Sequence, residues 1–154
     1  MKNPRFQIVV SDYSSSVDEW KRALGAPRSE LPKLNEQQKE VARKFGISDE
    51  EYARGLLAGL YGEERMRQRG QHLGEVVEEI LGGLGEDYRL AAVTAQMFEG
   101  RWILRIQTPA KIVNVAVPRE LADDVLDSGA IEEIDKLKAQ VLSAVGRNEL
   151  IARR

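Results

Sequence analysis

Apolar residues recur along this chain with two periods, and the point where one gives way to the other separates a helical part from a stranded part. The first apolar run, Phe6-Gln-Ile-Val-Val10, is bounded by Asp12 and a run of serines, which predicts a short strand that joins a sheet formed later. Ser16 then precedes Val17–Leu24, with Glu19 in the capping-box position and Gly25 after the last apolar residue, so a short helix with Val17, Trp20 and Leu24 on one face follows. Ala26 to Leu34 holds Pro27 and Pro32 and has no period; it reads as a linker and places a boundary. From Asn35 the period is helical. Glu36 to Phe45 forms one helix, stopped by Gly46, and Ser48 caps a second with Glu51 at the capping-box position, running through Tyr52, Leu56, Leu60 and Leu73 to Leu81. A helix of that length would span about 50 Å. That exceeds what a small domain buries, so a break near Gly62 or Gly70 is expected.

Between Tyr88 and Val117 the period becomes 2. Tyr88–Phe98, Arg101–Thr108 and Lys111–Val117 read as three strands joined by tight connections at Glu99-Gly100 and Pro109-Ala110. Trp102, Leu104 and Ile106 share one face of the middle strand, and Arg101, Ile103, Arg105 and Gln107 share the other, so one face is buried and one wetter. Pro118 opens a helix over Arg119–Leu126, and a last amphipathic helix starts at Ala130 and frays at Arg153-Arg154. The prediction is an α+β fold with a helical amino-terminal half and a three-stranded antiparallel β-meander packed by carboxy-terminal helices. It is read as one domain over 1–154 with a boundary near 26–34, a helical region over 35–84, and the meander with its helices over 86–152.

Composition narrows the chemistry. With 154 residues, 42% of them hydrophobic, the chain buries a core without a staple. It has no cysteine and a single histidine, His72, which excludes thiolate metal sites, disulfides, cysteine nucleophiles and multi-histidine metal centres. No apolar run approaches the roughly 20 residues of a membrane span, and the amino terminus lacks a signal-peptide core, so the expected location is cytoplasmic, with no membrane partner. Acidic residues number 25 and basic ones 23, so the chain as a whole carries no excess of Lys and Arg for phosphate neutralisation.

One local pattern is specific enough to name. In Gln38-Lys-Glu-Val-Ala42-Arg-Lys-Phe-Gly46-Ile47-Ser48-Asp-Glu-Glu-Tyr52, a small residue is followed by a glycine four positions on and an apolar anchor six further. Residues 36–60 thereby resemble a helix-turn-helix, which implies nucleic-acid contact through Arg43, Lys44 and Arg54. Asp49, Glu50 and Glu51 oppose that use, because they stand where phosphates would approach; they equally suit the positive end of a helix dipole, and a plain helical hairpin accounts for the segment. Gly55, Gly59 and Gly62 share one helix face and predict a close approach there, either by another element of this chain or by a protein partner. Arg65, Arg69 and His72 also share a face and form a candidate anion or nucleic-acid contact, with Glu63, Glu64 and Glu75 close by to pair with them instead.

Catalytic patterns are weak. No Gly-x-Ser-x-Gly elbow exists, and Gly82-Gly-Leu-Gly85 precedes a strand where a phosphate cradle would open a helix. The reading is a non-enzymatic intracellular protein–protein interaction module, an adaptor or regulatory subunit without cofactor or metal, that binds a protein partner or itself. Its expected surfaces are the helix around Gly55, Gly59 and Gly62 and an open edge of the meander, at Lys111–Val117 or Tyr88–Phe98, of which Phe6–Val10 would close one. The alternative is a DNA-binding regulator that uses residues 36–60.

Overall fold

Each helix of the first half begins where a capping residue satisfies backbone N–H groups that the helix leaves without partners. In the computed structural model, which describes residues 6–146, α1 (Val17–Gly25) starts at a capping box: Glu19 N–H donates to Ser16 Oγ at 3.2 Å and Ser16 N–H to Glu19 Oε1 at 2.8 Å. Asn35 and Gln38 repeat the arrangement for α2 (Glu36–Lys44), and Ser48 and Glu51 do so for α3 (Asp49–Gly82). Between α2 and α3 the chain turns at Gly46, whose φ of 71° is open to glycine without strain. Gly46 N–H donates to the Arg43 carbonyl at 3.1 Å and Ile47 N–H to that of Ala42 at 3.0 Å, which together close α2.

Residues 13–65 form one compact unit. Its core is made of small residues, Ala23, Ala26 and Ala58, with Leu57, against which Leu31 and Tyr61 pack. The proline-bearing segment 26–34 lies inside this unit and includes a short 3-10 turn over Arg28–Glu30.

Residues 6–12 and 66–146 form the second unit, a sheet covered on one face. Its strands are β1 (Gln7–Asp12), β2 (Arg89–Gln96), β3 (Arg101–Gln107) and β4 (Ile112–Pro118), in the order β1-β2-β3-β4. β1 pairs with β2 in parallel, and the other two pairings are antiparallel. Leu90, Val93, Ala95, Trp102, Leu104, Ile106, Val115 and Val117 face the core and are all buried. Within this unit Gly70 of α3 lies against Ile8 and Trp102, and Gly74 against Phe6, so missing side chains admit the helix to the sheet. α4 (Arg119–Ser128) packs on β3 and β4, and α5 (Ile131–Ala144) packs on α4 and β4.

The fold is therefore α+β, with a helical amino-terminal half as expected and two corrections. Among the described residues the sheet has four strands and is mixed: the segment read as a strand at Phe6–Val10 becomes β1 and adds in parallel to the meander's β2, which the long helical crossover between them permits. The expected break near Gly62 or Gly70 does not occur, because α3 runs unbroken over 34 residues. Its length finds burial in two places, since Asp49–Arg65 belongs to the helical unit and Met66–Gly82 to the sheet unit. The Arg153-Arg154 end of the last helix lies outside the described residues. No helix among the described residues is long and apolar enough to cross a membrane.

Candidate functional site

Of the six basic side chains singled out from the sequence, Arg54, Arg65 and Arg69 are engaged within their own unit. Arg54 donates through one guanidinium nitrogen to the carbonyls of Ala23, Leu24 and Ala26, at 2.9, 3.1 and 2.9 Å, and so closes the end of α1. Arg65 pairs with Glu19 at 2.8 Å and reaches the Ser14 carbonyl. Arg69 grips Asp123 at 2.6 Å and Asp127 at 3.2 Å, which ties α3 to α4. Arg43 and Lys44 are exposed in the last turn of α2, and His72 is exposed on α3. The Glu19 carboxyl is only 11% exposed, and burial alone would raise its pKa; the Ser16 N–H and the Arg65 guanidinium outweigh that and hold it below the ordinary glutamate value.

The helix-turn-helix-like segment has the expected turn. Ala42 is fully buried, Gly46 is left-handed and Tyr52 is half-buried. Its acidic residues have local roles: Glu51 completes the cap of α3, and Glu50 pairs with Arg28 at 2.7 Å and with Arg54 at 3.6 Å. Gly55, Gly59 and Gly62 face the chain's own residues. A methyl group on Gly55 would stand 3.4 Å from the Trp20 ring, one on Gly59 would meet the Tyr13 hydroxyl at 3.5 Å, and one on Gly62 would meet Tyr13 at 3.2 Å and Ser15 Oγ at 3.3 Å. Ser15 Oγ donates to the Ala58 carbonyl at 2.8 Å and fastens the same segment.

The two sheet edges differ. β1 covers β2 and so becomes one terminal strand itself, with a register shift between Val10 and Asp12 and the Arg67 guanidinium donating to its Ile8 carbonyl at 3.0 Å; β4 is the other terminal strand, and among the described residues no strand pairs with its outer side. Which groups β4 presents follows from its ladder. Thr108 N–H donates to the Lys111 carbonyl at 2.8 Å, Arg119 N–H donates to the Gly100 carbonyl at 2.8 Å, and the register between runs without slip from Arg101↔Pro118 to Gln107↔Ile112. In an antiparallel ladder alternate residues exchange both bonds with the neighbour. Val113, Val115 and Val117 therefore bond to β3, while Ile112, Asn114 and Ala116 direct N–H and C=O outward.

Those three residues are exposed, and β4 itself carries no charged side chain; Lys111 precedes it at the turn. Natural edges are commonly blocked by central charges, bulges or prolines. β4 has a proline only at its last position, Pro118, and no register shift.

The sheet face opposite the core continues from this edge. Register places Val9, Thr94, Ile103 and Ala116 in one row, and Gln7, Ala92, Arg105 and Asn114 in the next. At one end Asp12 accepts hydrogen bonds from Met97 N–H and Phe98 N–H, which fixes the 3-10 turn Met97–Glu99 and leaves Phe98 79% exposed. Arg101 pairs with Glu99 at 2.5 Å and with the Gln96 side chain at 2.8 Å. The outer-edge backbone of β4 was legible in the hairpin spacing, since the parity of a two-residue turn fixes which residues bond inward; the roles of Arg54 and Arg69 carried no sequence signal. No protein-family model matches the chain, and comparison with the curated proteins and with the solved structures finds no match.

Proposed function

We propose that this protein is a non-enzymatic protein–protein interaction module that captures an extended segment of its partner by adding it as a strand to β4. The observation that carries the reading is the outward set of backbone donors and acceptors at Ile112, Asn114 and Ala116, on an edge with no central charge and no bulge. Main-chain bonds supply affinity in this mode, and alternating side-chain positions supply selectivity. The glycine-bearing face of α3 is a weaker candidate, because Tyr13, Ser15 and Trp20 already occupy it.

A displayed library of random peptides, each as long as β4, tests the reading. Enrichment on the wild-type protein that is lost with Asn114→Pro is expected, since proline removes one outward N–H and leaves the β3 ladder whole. Failure to enrich any peptide overturns it.

The second reading, DNA binding by the α2–α3 hairpin, is favoured by the formed turn at Gly46 and the exposed Arg43 and Lys44. Anisotropy with a mixed-sequence duplex, in salt raised from about 50 to about 200 mM, tests it; phosphate contacts lose roughly 10³–10⁵ in affinity over that range. Absence of binding at low salt retires it.

A further inference from the structure

The charge on the open sheet face narrows what β4 can accept. Arg105 is exposed and stands opposite Asn114 in the β3–β4 register, so on this face only the short Asn114 side chain separates it from a strand added outside β4. Arg89 is exposed on the same face, and Lys111 is exposed at the β3–β4 turn. Among the described residues no carboxylate pairs with Arg89, Arg105 or Lys111. The face does hold two acids, but Asp12 is committed to the Met97 and Phe98 N–H groups and Glu99 to Arg101. The face is thus cationic next to a free edge. A strand of alternating pattern sends every second side chain to this face.

Resting on the strand-capture reading above, we propose that the partner segment is acidic: an extended peptide whose backbone bonds to Ile112, Asn114 and Ala116 and whose open-face positions carry carboxylates. The carboxylate opposite Asn114 reaches across that short side chain to the Arg105 guanidinium. Charge complementarity of this kind selects among strands that the backbone alone binds equally. It also explains the composition of the edge, because Asn114 and Ala116 are too short to screen Arg105 and Ile103 from a strand beyond them.

Three labelled synthetic peptides of β4's own length, 7 residues, test this by fluorescence anisotropy: alternating Thr and Glu, alternating Thr and Gln, and alternating Thr and Lys. The acidic peptide is expected to bind most tightly, with Arg105→Glu cutting its affinity roughly fivefold and favouring the lysine peptide instead. Asn114→Pro is expected to weaken all three by at least about tenfold. Circular dichroism confirms that each variant is folded, and Ala116→Pro repeats the edge test should Asn114→Pro be unfolded. Equal binding of the three peptides overturns the acidic preference and leaves strand capture standing. No binding by any of them overturns strand capture as well. Acidic-peptide binding that survives both proline variants, or that single-stranded oligonucleotide displaces equally well, marks a general anion surface and overturns the proposal. So does self-association of the protein that the proline variants abolish, because the edge then belongs to a second copy.

Discussion

A methyl group on Gly74 would overlap the ring of Phe6, which is itself only 3% exposed and has little room to retreat. Gly82, at the other end of the same turns of α3, has nothing within 4 Å of such a methyl and a φ that is not left-handed. The two glycines therefore respond to the same change with opposite signs. Gly74→Ala overpacks the helix against Phe6, the residue before β1, and is expected to cost about 1–3 kcal/mol. Gly82→Ala restricts the unfolded chain and removes a poor helix former, and is expected to add about 0.4–1 kcal/mol. Urea midpoints of the two variants check both signs. The spacing of the glycines was plain in the sequence, but which of them lies under a ring depends on residues distant in the chain, such as Phe6 for Gly74.

Helices in this molecule are held by short-range caps and by a few long-range charged contacts, and the two kinds behave differently with pH. The Ser16–Glu19 box is local, yet Glu19 also pairs with Arg65 on α3, so one carboxylate both starts α1 and ties it to its neighbour. Its folded pKa lies below the ordinary glutamate value, despite the opposing effect of burial. A depressed carboxylate contributes stability that is fully present above its unfolded pKa and is lost as pH falls through the folded value. Acid titration of the urea midpoint is therefore expected to fall below the ordinary glutamate range in the wild type, and to fall less steeply in Glu19→Gln. Equal slopes for the two proteins would show that the Arg65 contact contributes nothing. The caps at Ser16, Asn35 and Ser48 were all legible, because capping residues and their partners lie three positions apart. The partners of Arg54, Arg65 and Arg69 were not, because those contacts join segments that only folding brings together.

At the scale of the molecule, the regular terminal strand β4 sets the chemistry of one side of the sheet. Proline discriminates the two sides of β4. Val115→Pro removes a bond to β3 and is expected to destabilise by about 3 kcal/mol or more, whereas Asn114→Pro removes only an outward N–H and is expected to leave most of the stability intact. Thermal melts of the pair decide whether the assigned hydrogen-bond parity is right; equal losses would refute it. The local pattern alone determined the caps, the change of period at Tyr88, the three strands of the meander and the alternation that buries Trp102, Leu104 and Ile106, since each depends on residues within a turn or a strand of one another. Only the tertiary structure decided that Phe6–Val10 would add in parallel to β2 and replace it as the terminal strand, that α3 would continue through Gly62 and Gly70, and that Arg105 would lie beside an open strand. Those outcomes rest on pairings between distant segments, where burial and hydrogen bonding are shared by residues that no local period relates.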